Sequence, residues 1–492
     1  MRDLFTQPLC RLEDLGNPIP DSPHAVSVTI PTWDSVIGYE EEDPQVMATL
    51  RCGYPRFFCH PLVKRLFERA VERFAGEKET ALVFASNAAA RRCAAFLCRV
   101  SGESLAVAHH DWGEGSAASV LVFPQALRRE GLLYWRYCGE IVSSRQAQQL
   151  LGEGEAIAEA VMDSANVLGK RLASWAGEPS SQVHLFPSGM AAIHAAFRAV
   201  TTIRPGLKTV QLEFPYVDVF CIQKSLGVGV HHVLGKDMAD QLTGLLRKEK
   251  IAAVFCEIPS NPLMRTVNLE IMSRVCRRHR VPLIVDDTIG TVHNVDVYPF
   301  ADLVTTSLTK NISGQGDVMG GALTVPVGSA FAEAFQQFLT KEQEPGLWVE
   351  DAAVLDRSSR NFPQRMAKLN YHAELLFEFL AGHLKVADLY YPKQVTRDAY
   401  TSILRKGGGF GGLLSFTLKD TATTPAFYDR LEVCKGPSLG MDFTLACPYT
   451  LLAHYEELDW AEACGVSRHL VRVGVGLENP KALIERFERA LG

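Results

Sequence analysis

The chain has 492 residues, of which 47% are hydrophobic, and a formal net charge of −6. Single hydrophobic cores stop growing near roughly 250–300 residues, so we expect a globular protein of two or more domains. The slightly acidic balance provides no broad basic surface, which excludes nucleic acid and anionic membranes as main partners.

The amino end shows no targeting pattern. Its first residues carry acidic groups and prolines and contain no apolar run of signal-peptide length, so we expect a cytoplasmic protein. The 12 cysteines show no CxxC or Cys/His ligand spacing, which indicates free thiols and no metal site. No stretch reaches the roughly 18–20 apolar residues that cross a bilayer, so we expect no membrane association.

The front of the chain is predicted to hold two regions. Residues 24–60 are loop-rich and 61–75 have the pattern of an amphipathic helix, so we assign 1–77 to an N-terminal arm and helix. The strand-like runs ALVFA and SVLVFP follow within 80–150. We assign 78–180 to an inserted or extended region, to which the sequence gives no function.

From about residue 180 to 325, short apolar runs alternate with helix-period segments. The predicted strands are VHLF, KTVQLEF, AAVFCEI, PLIVDD and ADLVTTS. This alternation is typical of βα units that feed a mainly parallel central sheet flanked by helices. With the long helices predicted over 328–386, it defines a large α/β domain over 181–386. The runs GLLSFTL, HLVRVGV and KALIERFERAL predict a smaller C-terminal α+β domain over 387–492.

Polar residues stand where these predicted strands end. Ligands of parallel sheets bind at the carboxyl ends of the strands, so these positions are candidates for a binding site. The candidates are Ser188, Gly189, Tyr216, Asn261, Asp286, Asp287, Ser307, Thr309 and Lys310.

The lysine lies in SLTKNISGQGDVMGG, residues 307–321, after a predicted buried strand. A buried lysine has a depressed pKa and can attack an aldehyde, whereas most loop lysines are solvated surface charges. Ser307 and Thr309 offer hydroxyl groups of the kind that hold a phosphate, and the nearby glycines permit a tight turn. The segment therefore indicates covalent binding of a phosphorylated aldehyde at Lys310.

VPLIVDDT ends a predicted strand in two carboxylates. A buried carboxylate needs a cationic partner or several donors, and a protonated pyridine nitrogen is such a partner. Asp286 would then keep the pyridine ring of such a ligand cationic. A cationic ring acts as an electron sink for a substrate carbanion. The alternative is that Asp286 or Asp287 caps a helix or satisfies loop amides.

Three further segments carry weaker indications. Ser188-Gly189, in LFPSGMAAI, precedes a predicted helix start, where free amides attract a phosphate, although many ordinary helices begin this way. Asn261, in EIPSNPLM, can hydrogen-bond a phenolate oxygen or form a simple Asn-Pro turn. Tyr216, in EFPYVDVF, can stack on a cofactor ring or pack as an ordinary tyrosine.

In this order and placement, the segments resemble the Cys/Met-metabolism family of fold-type I pyridoxal phosphate (PLP) enzymes, which share patterns like SGMAAI, PSNP, VDNT and S-x-TK. The resemblance implies the aspartate-aminotransferase-like α/β fold, PLP as cofactor and its imine with Lys310. It implies that Asp286 contacts the pyridine nitrogen and Asn261 the ring oxygen. The residues it implies at the phosphate are Gly189, Met190, Ser307 and Thr309.

Two more segments resemble the fungal branch of cystathionine γ-synthases. They are GYPRFFCHPLV near the front and the run from GPSLGMDF to RVGVGLE near the end. In the family, a Tyr-x-Arg reaches into the neighbouring subunit to bind the cofactor phosphate. Tyr54 and Arg56 match it, which implies that 1–77 serves a neighbour's site in a homo-oligomer, a dimer or a dimer of dimers. Arg472 matches the substrate-carboxylate arginine, and Ser438 is implied to orient the lysine or the substrate.

Three positions depart from the family pattern. Asp287 stands where Asn is usual, and Gly474 stands where Ser is usual. FPYVDVF lacks the Tyr-Gly-Gly stretch, which leaves Phe214 as a competitor to Tyr216 for the stacking ring. None of the three removes the lysine, the pyridine partner or the carboxylate arginine, so we expect catalysis.

The resemblance implies γ-elimination and γ-replacement on O-acetyl-, O-succinyl- or O-phosphohomoserine. Lys310 would move the Cα and Cβ protons as a general base, and Tyr216 would donate a proton to the leaving group. The second substrate is a nucleophile, either a thiol, which gives cystathionine, or a carbon nucleophile of fungal specialised metabolism. The alternatives are a PLP-dependent C–S lyase and a non-catalytic binding relative, which would not need Lys310, Asp286 and Arg472 together.

Overall fold

The structure of the chain, a computed structural model, describes residues 2–102, 105–113, 118–342 and 346–492. The predicted region 78–180 includes residues 103–104 and 114–117, and the predicted region 181–386 includes 343–345, all of which lie outside the described residues. Within the described ranges, no helix is long and apolar enough to span a membrane. The same ranges contain no cluster of His, Cys, Asp and Glu side chains that could hold a metal ion.

The N-terminal part combines helices with a small antiparallel sheet. Its elements are α1 (Trp33–Glu40), α2 (Pro44–Met47), α3 (Pro61–Phe74), β1 (Glu79–Phe84), α4 (Asn87–Ser101), β2 (Ala108–Asp111), β3 (Ser119–Pro124), α5 (Arg128–Cys138), α6 (Ser144–Leu150) and α7 (Ser164–Ala176). In the described residues, the sheet has the strand order β1-β3-β2. Helix α3 follows the predicted amphipathic pattern and packs beside β1, because its buried residues repeat at helical spacing on one face.

The central part alternates strands and helices. Its elements are β4 (Val183–Phe186), α8 (Gly189–Ile203), β5 (Thr209–Leu212), α9 (Val217–Ser225), β6 (Val230–Val233), α10 (Met238–Lys248), β7 (Val254–Glu257), α11 (Leu269–His279), β8 (Leu283–Asp286), α12 (Thr291–Asn294), β9 (Leu303–Ser307) and β10 (Gly321–Thr324). All five predicted strands are present. Two further strands, β6 and β10, were not predicted, because their short runs VHHV and GALT interleave histidines or small residues with the apolar ones.

As far as the structure describes the chain, the central sheet has seven strands in the order β4-β10-β9-β8-β7-β5-β6. The pairs β9–β8, β8–β7, β7–β5 and β5–β6 are parallel, and β10 pairs antiparallel with β9 and β4. The carboxyl ends of the parallel strands therefore share one edge. Helix α8 is apolar on most of its surface because it is buried against this sheet.

The C-terminal part begins with long helices and continues as a second α/β layer. Its elements are α13 (Ala332–Glu342), α14 (Val349–Ser359), α15 (Phe362–Gly382), β11 (Val386–Tyr390), α16 (Arg397–Thr401), β12 (Leu413–Leu418), α17 (Thr424–Arg430), β13 (Cys434–Lys435), β14 (Leu445–Pro448), α18 (Tyr449–His454), α19 (Leu458–Ala463), β15 (Val471–Gly474) and α20 (Pro480–Leu491). Among the described residues the sheet order is β11-β12-β15-β14-β13. This sheet packs against α15 and α20 through one apolar cluster, as expected for a smaller C-terminal α+β domain, although α15 lies within the range 181–386 that we assigned to the large domain.

Candidate active site

A cavity of about 710 Å3 opens at the carboxyl ends of the parallel strands, where the central sheet meets the C-terminal sheet. Most of the residues predicted for the site line it, and Ser188, Phe214, Asp287, Thr309 and Ser438 do not. The lining residues from that set are Tyr54, Arg56, Gly189, Met190, Tyr216, Asn261, Asp286, Ser307, Lys310 and Arg472.

Lys310 lies in a π-helical turn, Leu308–Ile312, that directly follows β9. Its Nζ donates a hydrogen bond to Ser438 Oγ at 3.0 Å and lies 4.2 Å from the centre of the Tyr54 ring. Burial lowers the pKa of Lys310; Tyr54 opposes this shift, and the charge of Arg472 adds to it. The amine is therefore more readily uncharged than a surface lysine, as a nucleophile or a base requires.

Asp286 ends β8 and faces the cavity. Its Oδ1 accepts from the backbone N–H of Thr288 at 2.9 Å, and its Oδ2 accepts from Thr305 Oγ1 at 2.9 Å. Burial raises the pKa of this carboxyl, and the two hydrogen bonds with neutral donors only partly oppose the shift. A carboxylate in this setting is stabilised by a cationic ligand.

Asp287 lies on the other side of the chain from Asp286 and does not line the cavity. It is fully buried, its Oδ1 accepts from Thr306 Oγ1, and its Oδ2 has no hydrogen-bond partner among the described residues. Burial raises its pKa to about 7. Of the two adjacent carboxylates, only Asp286 is placed to meet a ligand.

The first turn of α8 forms a tight wall of the cavity. A Cβ added at Gly189 would lie 2.8 Å from Ser307 Cβ, so the helix can begin this close to Ser307 only because residue 189 is glycine. The free backbone N–H groups at this helix start are suited to an anion. Gly189, Met190 and Ser307 therefore offer a phosphate site.

Ser188 and Thr309 support this wall and do not face the cavity. Ser188 Oγ accepts from the backbone N–H of Ala191 at 3.1 Å and donates to the Gly139 carbonyl at 2.8 Å. Thr309 Oγ1 accepts from the backbone N–H of Gly320 at 3.1 Å. Both hydroxyls are thus engaged with the backbone, which differs from the expected direct contact with a phosphate.

Tyr54 and Arg56 lie in the cavity of their own chain. Arg56 forms a buried ion pair with Asp218, and its Nη2 donates to the Tyr216 hydroxyl at 2.7 Å. Burial raises the pKa of Tyr54, but the charges of Lys310 and Arg56 outweigh burial and lower it overall. A contribution of this segment to a neighbouring subunit stays a prediction.

Tyr216 lines the cavity and Phe214 does not. Phe214 is fully buried between the rings of His454 and Trp460, at 5.0 and 5.2 Å between ring centres. The backbone N–H of Tyr216 donates to Glu257 Oε1 at 2.5 Å, which fixes the start of α9. Of the two aromatic candidates, Tyr216 is the one placed to stack on a ligand.

Arg472 comes from β15, so the C-terminal sheet brings it to the cavity. Its Nη1 donates to Asn261 Oδ1 at 3.2 Å, and its Nη2 donates to the carbonyls of Pro437 and Ser438 at 3.0 and 3.1 Å. The guanidinium carbon lies 4.7 Å from the centre of the Tyr449 ring. These contacts hold a cation opposite Lys310, where it can bind the carboxylate of an amino acid.

The structure adds site residues that the sequence analysis missed. Asp218 is fully buried and pairs with both Arg56 and Arg136. Glu257 ends β7 beside Asp286, and burial raises its pKa to about 8. The rule that selected Asp286, a polar residue where a strand ends, also selects Glu257. Arg136 carries no comparable signal, because it comes from a helix of the N-terminal part.

Together the lining groups fit PLP. A buried amine, a carboxylate with only neutral partners, an aromatic ring and a glycine-walled helix start match its aldehyde, pyridine nitrogen, ring and phosphate. Asn261 Oδ1 accepts from Arg472, which leaves its amide N–H groups for the ring oxygen. The residues that would hold the cofactor are Lys310, Asp286, Tyr216, Asn261, Gly189, Met190 and Ser307.

Sequence comparison shows the family. The model of the family described as Cys/Met metabolism PLP-dependent enzyme matches residues 163–492, and the chain belongs to this family. The model described as fungal trans-sulfuration enzyme, N-terminal domain, matches residues 62–143. PLP as cofactor, an enzymatic function and the fungal branch are thereby confirmed.

Individual relatives cover nearly the whole chain. The cystathionine gamma-synthase of Neurospora crassa is 32% identical over 97% of this chain and 98% of its own length. The L-2-amino-4-chloropent-4-enoate dechlorinase/desaturase of Streptantibioticus cattleyicolor is 32% identical over 96% of this chain and 97% of its own length. At this level of identity, the chain is similar to enzymes with different named reactions.

Solved structures show the same fold. The cystathionine gamma synthase of Xanthomonas oryzae pv. oryzae in complex with aminoacrylate and cysteine has a TM-score of 0.58 at 23% identity, over 67% of this chain and 85% of that chain. The cystathionine gamma-lyase of Lactobacillus plantarum complexed with L-serine has a TM-score of 0.59 at 20% identity, over 67% of this chain and 86% of that chain. The predicted fold-type I architecture is confirmed.

Proposed function

We propose that this enzyme catalyses γ-elimination and γ-replacement on an O-activated homoserine, an O-acetyl, O-succinyl or O-phospho ester, and joins Cγ to a thiol or a carbon nucleophile. The observation that carries the proposal is the placement of Lys310, Asp286 and Arg472 on one cavity, with the amine and the guanidinium on different sheets. The likeness to the named cystathionine gamma-synthase of Neurospora crassa supports this choice of reaction.

Lys310 is the proposed base for the protons at Cα and Cβ. PLP, when bound, supplies an electron sink for the negative charge that develops when these protons leave. The lowered pKa of Lys310 favours the uncharged amine that accepts a proton, and the hydrogen bond to Ser438 Oγ fixes the direction of Nζ. Ser438 is therefore proposed to orient the lysine.

Arg472 is proposed to bind the substrate carboxylate, and Tyr216 to protonate the leaving group. Hydrogen bonds to backbone carbonyls hold the guanidinium before substrate arrives, which reduces the entropy lost on binding. Burial raises the pKa of the Tyr216 phenol, so the hydroxyl keeps the proton that an ester oxygen needs on departure. Its contact with Arg56 fixes the hydroxyl in place.

Product analysis tests the reaction type. With O-acetylhomoserine and either cysteine or a β-keto acid, we expect a product that contains both substrates less acetic acid, because the nucleophile takes the place of the acetate at Cγ. Mass spectrometry of the products identifies which acceptor is joined. Omission of the acceptor is the control. Pyruvate, ammonia and sulfide formed from cysteine, with no joined product in either mixture, would favour a C–S lyase.

Replacing Asp286 by asparagine is expected to lower kcat/KM by about 10²–10⁴-fold, since loss of one partner of a buried ion pair costs roughly 3–5 kcal/mol. Asp287→Asn is the matched control, because Asp287 faces away from the cavity. Steady-state kinetics and the dissociation constant of PLP measure both variants. Equal losses in the two variants would remove Asp286 from its proposed role at the pyridine nitrogen.

The domain division and the assembly also stay proposals. We propose an arm and helix over 1–77, an extended region over 78–180, a PLP-binding domain over 181–386 and a small domain over 387–492. A homo-oligomer, a dimer or a dimer of dimers, is the proposed assembly, with an amino acid and a second nucleophile as substrates. The family resemblance of the Tyr54–Arg56 segment supports the oligomer.

A further inference from the structure

The segment Gly139–Glu140, which follows α5, joins the N-terminal part to the phosphate site. The Gly139 carbonyl accepts the hydrogen bond from Ser188 Oγ at 2.8 Å. Ser188 in turn caps α8, whose first residues Gly189 and Met190 line the cavity. One peptide of the N-terminal part thus contacts the side chain that shapes the start of this helix.

The approach of the two segments is as close as a glycine allows. Gly139 has φ of +65°, and an added Cβ would lie 2.5 Å from Ser188 Oγ and 2.7 Å from both the Ala191 nitrogen and Met190 Cβ. Both the backbone conformation and the available space therefore require glycine at this position. Any larger residue must displace the first turn of α8.

Glu140 fixes the same junction through charge. Its carboxylate is fully buried, with Oε1 2.5 Å from Arg92 Nη2 of α4. The same oxygen lies 3.7 Å from His194 Nδ1 and 3.7 Å from Arg198 Nη2, both of α8. Burial raises the pKa of Glu140, but the nearby His194 and the two arginines lower it to about 2. A single charged carboxylate therefore holds a helix from each part.

The backbone of Glu140 completes the link on the N-terminal side. Its carbonyl accepts from the backbone N–H of Ala85 at 3.2 Å, one residue before Ser86 caps α4. Gly139 and Glu140 therefore lie between the starts of two helices. Each helix is capped by a serine whose Oγ accepts a hydrogen bond from the backbone N–H three residues later in the chain. Movement of either helix would disturb the other through this peptide.

We propose that Gly139 and Glu140 position the phosphate-binding turn. Through these two residues, the N-terminal region that matches the fungal trans-sulfuration model, residues 62–143, would contribute to cofactor binding. The ligand group concerned is the phosphate ester of PLP, and the inference rests on the proposed phosphate site at Gly189. Neither residue lines the cavity, so both act as positioning residues.

The test compares PLP with pyridoxal, which lacks the phosphate, by fluorescence titration of the apo-enzyme. Gly139→Ala is expected to raise the dissociation constant of PLP about tenfold or more. This change corresponds to the loss of roughly one to two hydrogen bonds to the phosphate. The affinity for pyridoxal should not change, because pyridoxal lacks the phosphate that the turn is proposed to bind. Gly102→Ala is the matched control, since Gly102 also ends a helix at φ of +70° but an added Cβ would meet no atom of the described residues within 4 Å.

Glu140→Gln provides a second test if Gly139→Ala does not fold. This variant keeps the size of the side chain and removes its charge, and we expect it to weaken PLP binding about threefold or more without affecting pyridoxal. PLP affinities of both variants equal to that of Gly102→Ala would overturn the proposal. Equal losses for PLP and pyridoxal would also overturn it, because they indicate general damage. Failure of the proposed function is separate, since it would appear in the unmodified enzyme as no replacement product.

Discussion

Lys310→Ala is expected to lower turnover by about 10²–10⁴-fold or more, because the variant lacks the base for the substrate protons. It should also lose covalent attachment of the cofactor. Borohydride reduction of the unmodified enzyme, followed by digestion and mass spectrometry, should place a pyridoxyl group on the peptide that contains Lys310. The alanine variant should yield no such peptide.

Lys435 is an internal control for this experiment. It is also fully buried, and burial lowers its pKa to about 8. Its Nζ donates to the carbonyls of Pro31 and Asp429 at 2.8 and 2.9 Å, and it does not line the cavity. A pyridoxyl group on Lys435 in place of Lys310 would show that burial and a lowered pKa decide the attachment and that the cavity does not.

Arg472→Lys is expected to lower kcat/KM for the amino-acid substrate by about 10- to 100-fold, mainly through KM. Lysine keeps the charge but lacks the planar pair of donors that matches a carboxylate, and one charge-assisted hydrogen bond contributes about 1.5–3 kcal/mol. Steady-state kinetics with the substrate and with its analogue that lacks the carboxylate measure the effect. The variant and the unmodified enzyme should have the same kcat/KM for the analogue.

Arg171→Lys is the control for Arg472→Lys. Arg171 pairs with Asp356 Oδ1 at 2.7 Å and does not line the cavity, so the same exchange should leave KM unchanged. A loss of activity toward the carboxylate-free analogue as large as that toward the substrate would show that Arg472 acts on the structure of the site and does not bind the carboxylate.

Much of the site could be predicted because parallel strands bring separate segments to one edge. Asn261, Asp286 and Lys310 lie at the ends of three different strands, and a strand that is buried on both faces has a continuous apolar run that is easily recognised. Placement at strand ends thus identified residues that are far apart in the chain and close in space. The two strands without such runs, β6 and β10, were not predicted.

Side-chain direction could not be predicted in the same way. Ser188 and Thr309 match the family motif, but their hydroxyls satisfy backbone groups of Gly139 and Gly320. Those partners are 49 and 11 residues away along the chain, so the sequence of the motif does not identify them. The N-terminal part was hardest, because Arg136 and Gly139 reach the site through packing between helices, which no local pattern specifies.

The hydrogen bond between Lys310 and Ser438 crosses from the central sheet to the loop between β13 and β14. A substrate that meets Lys310 at its amine end and Arg472 at its carboxylate would bridge the same two layers. Because the amine and the carboxylate of every α-amino acid are bonded to the same carbon, the span between these two contacts is the same for all such substrates. The two layers together would fix the position of Cα, and discrimination between substrate side chains would fall to other residues of the cavity.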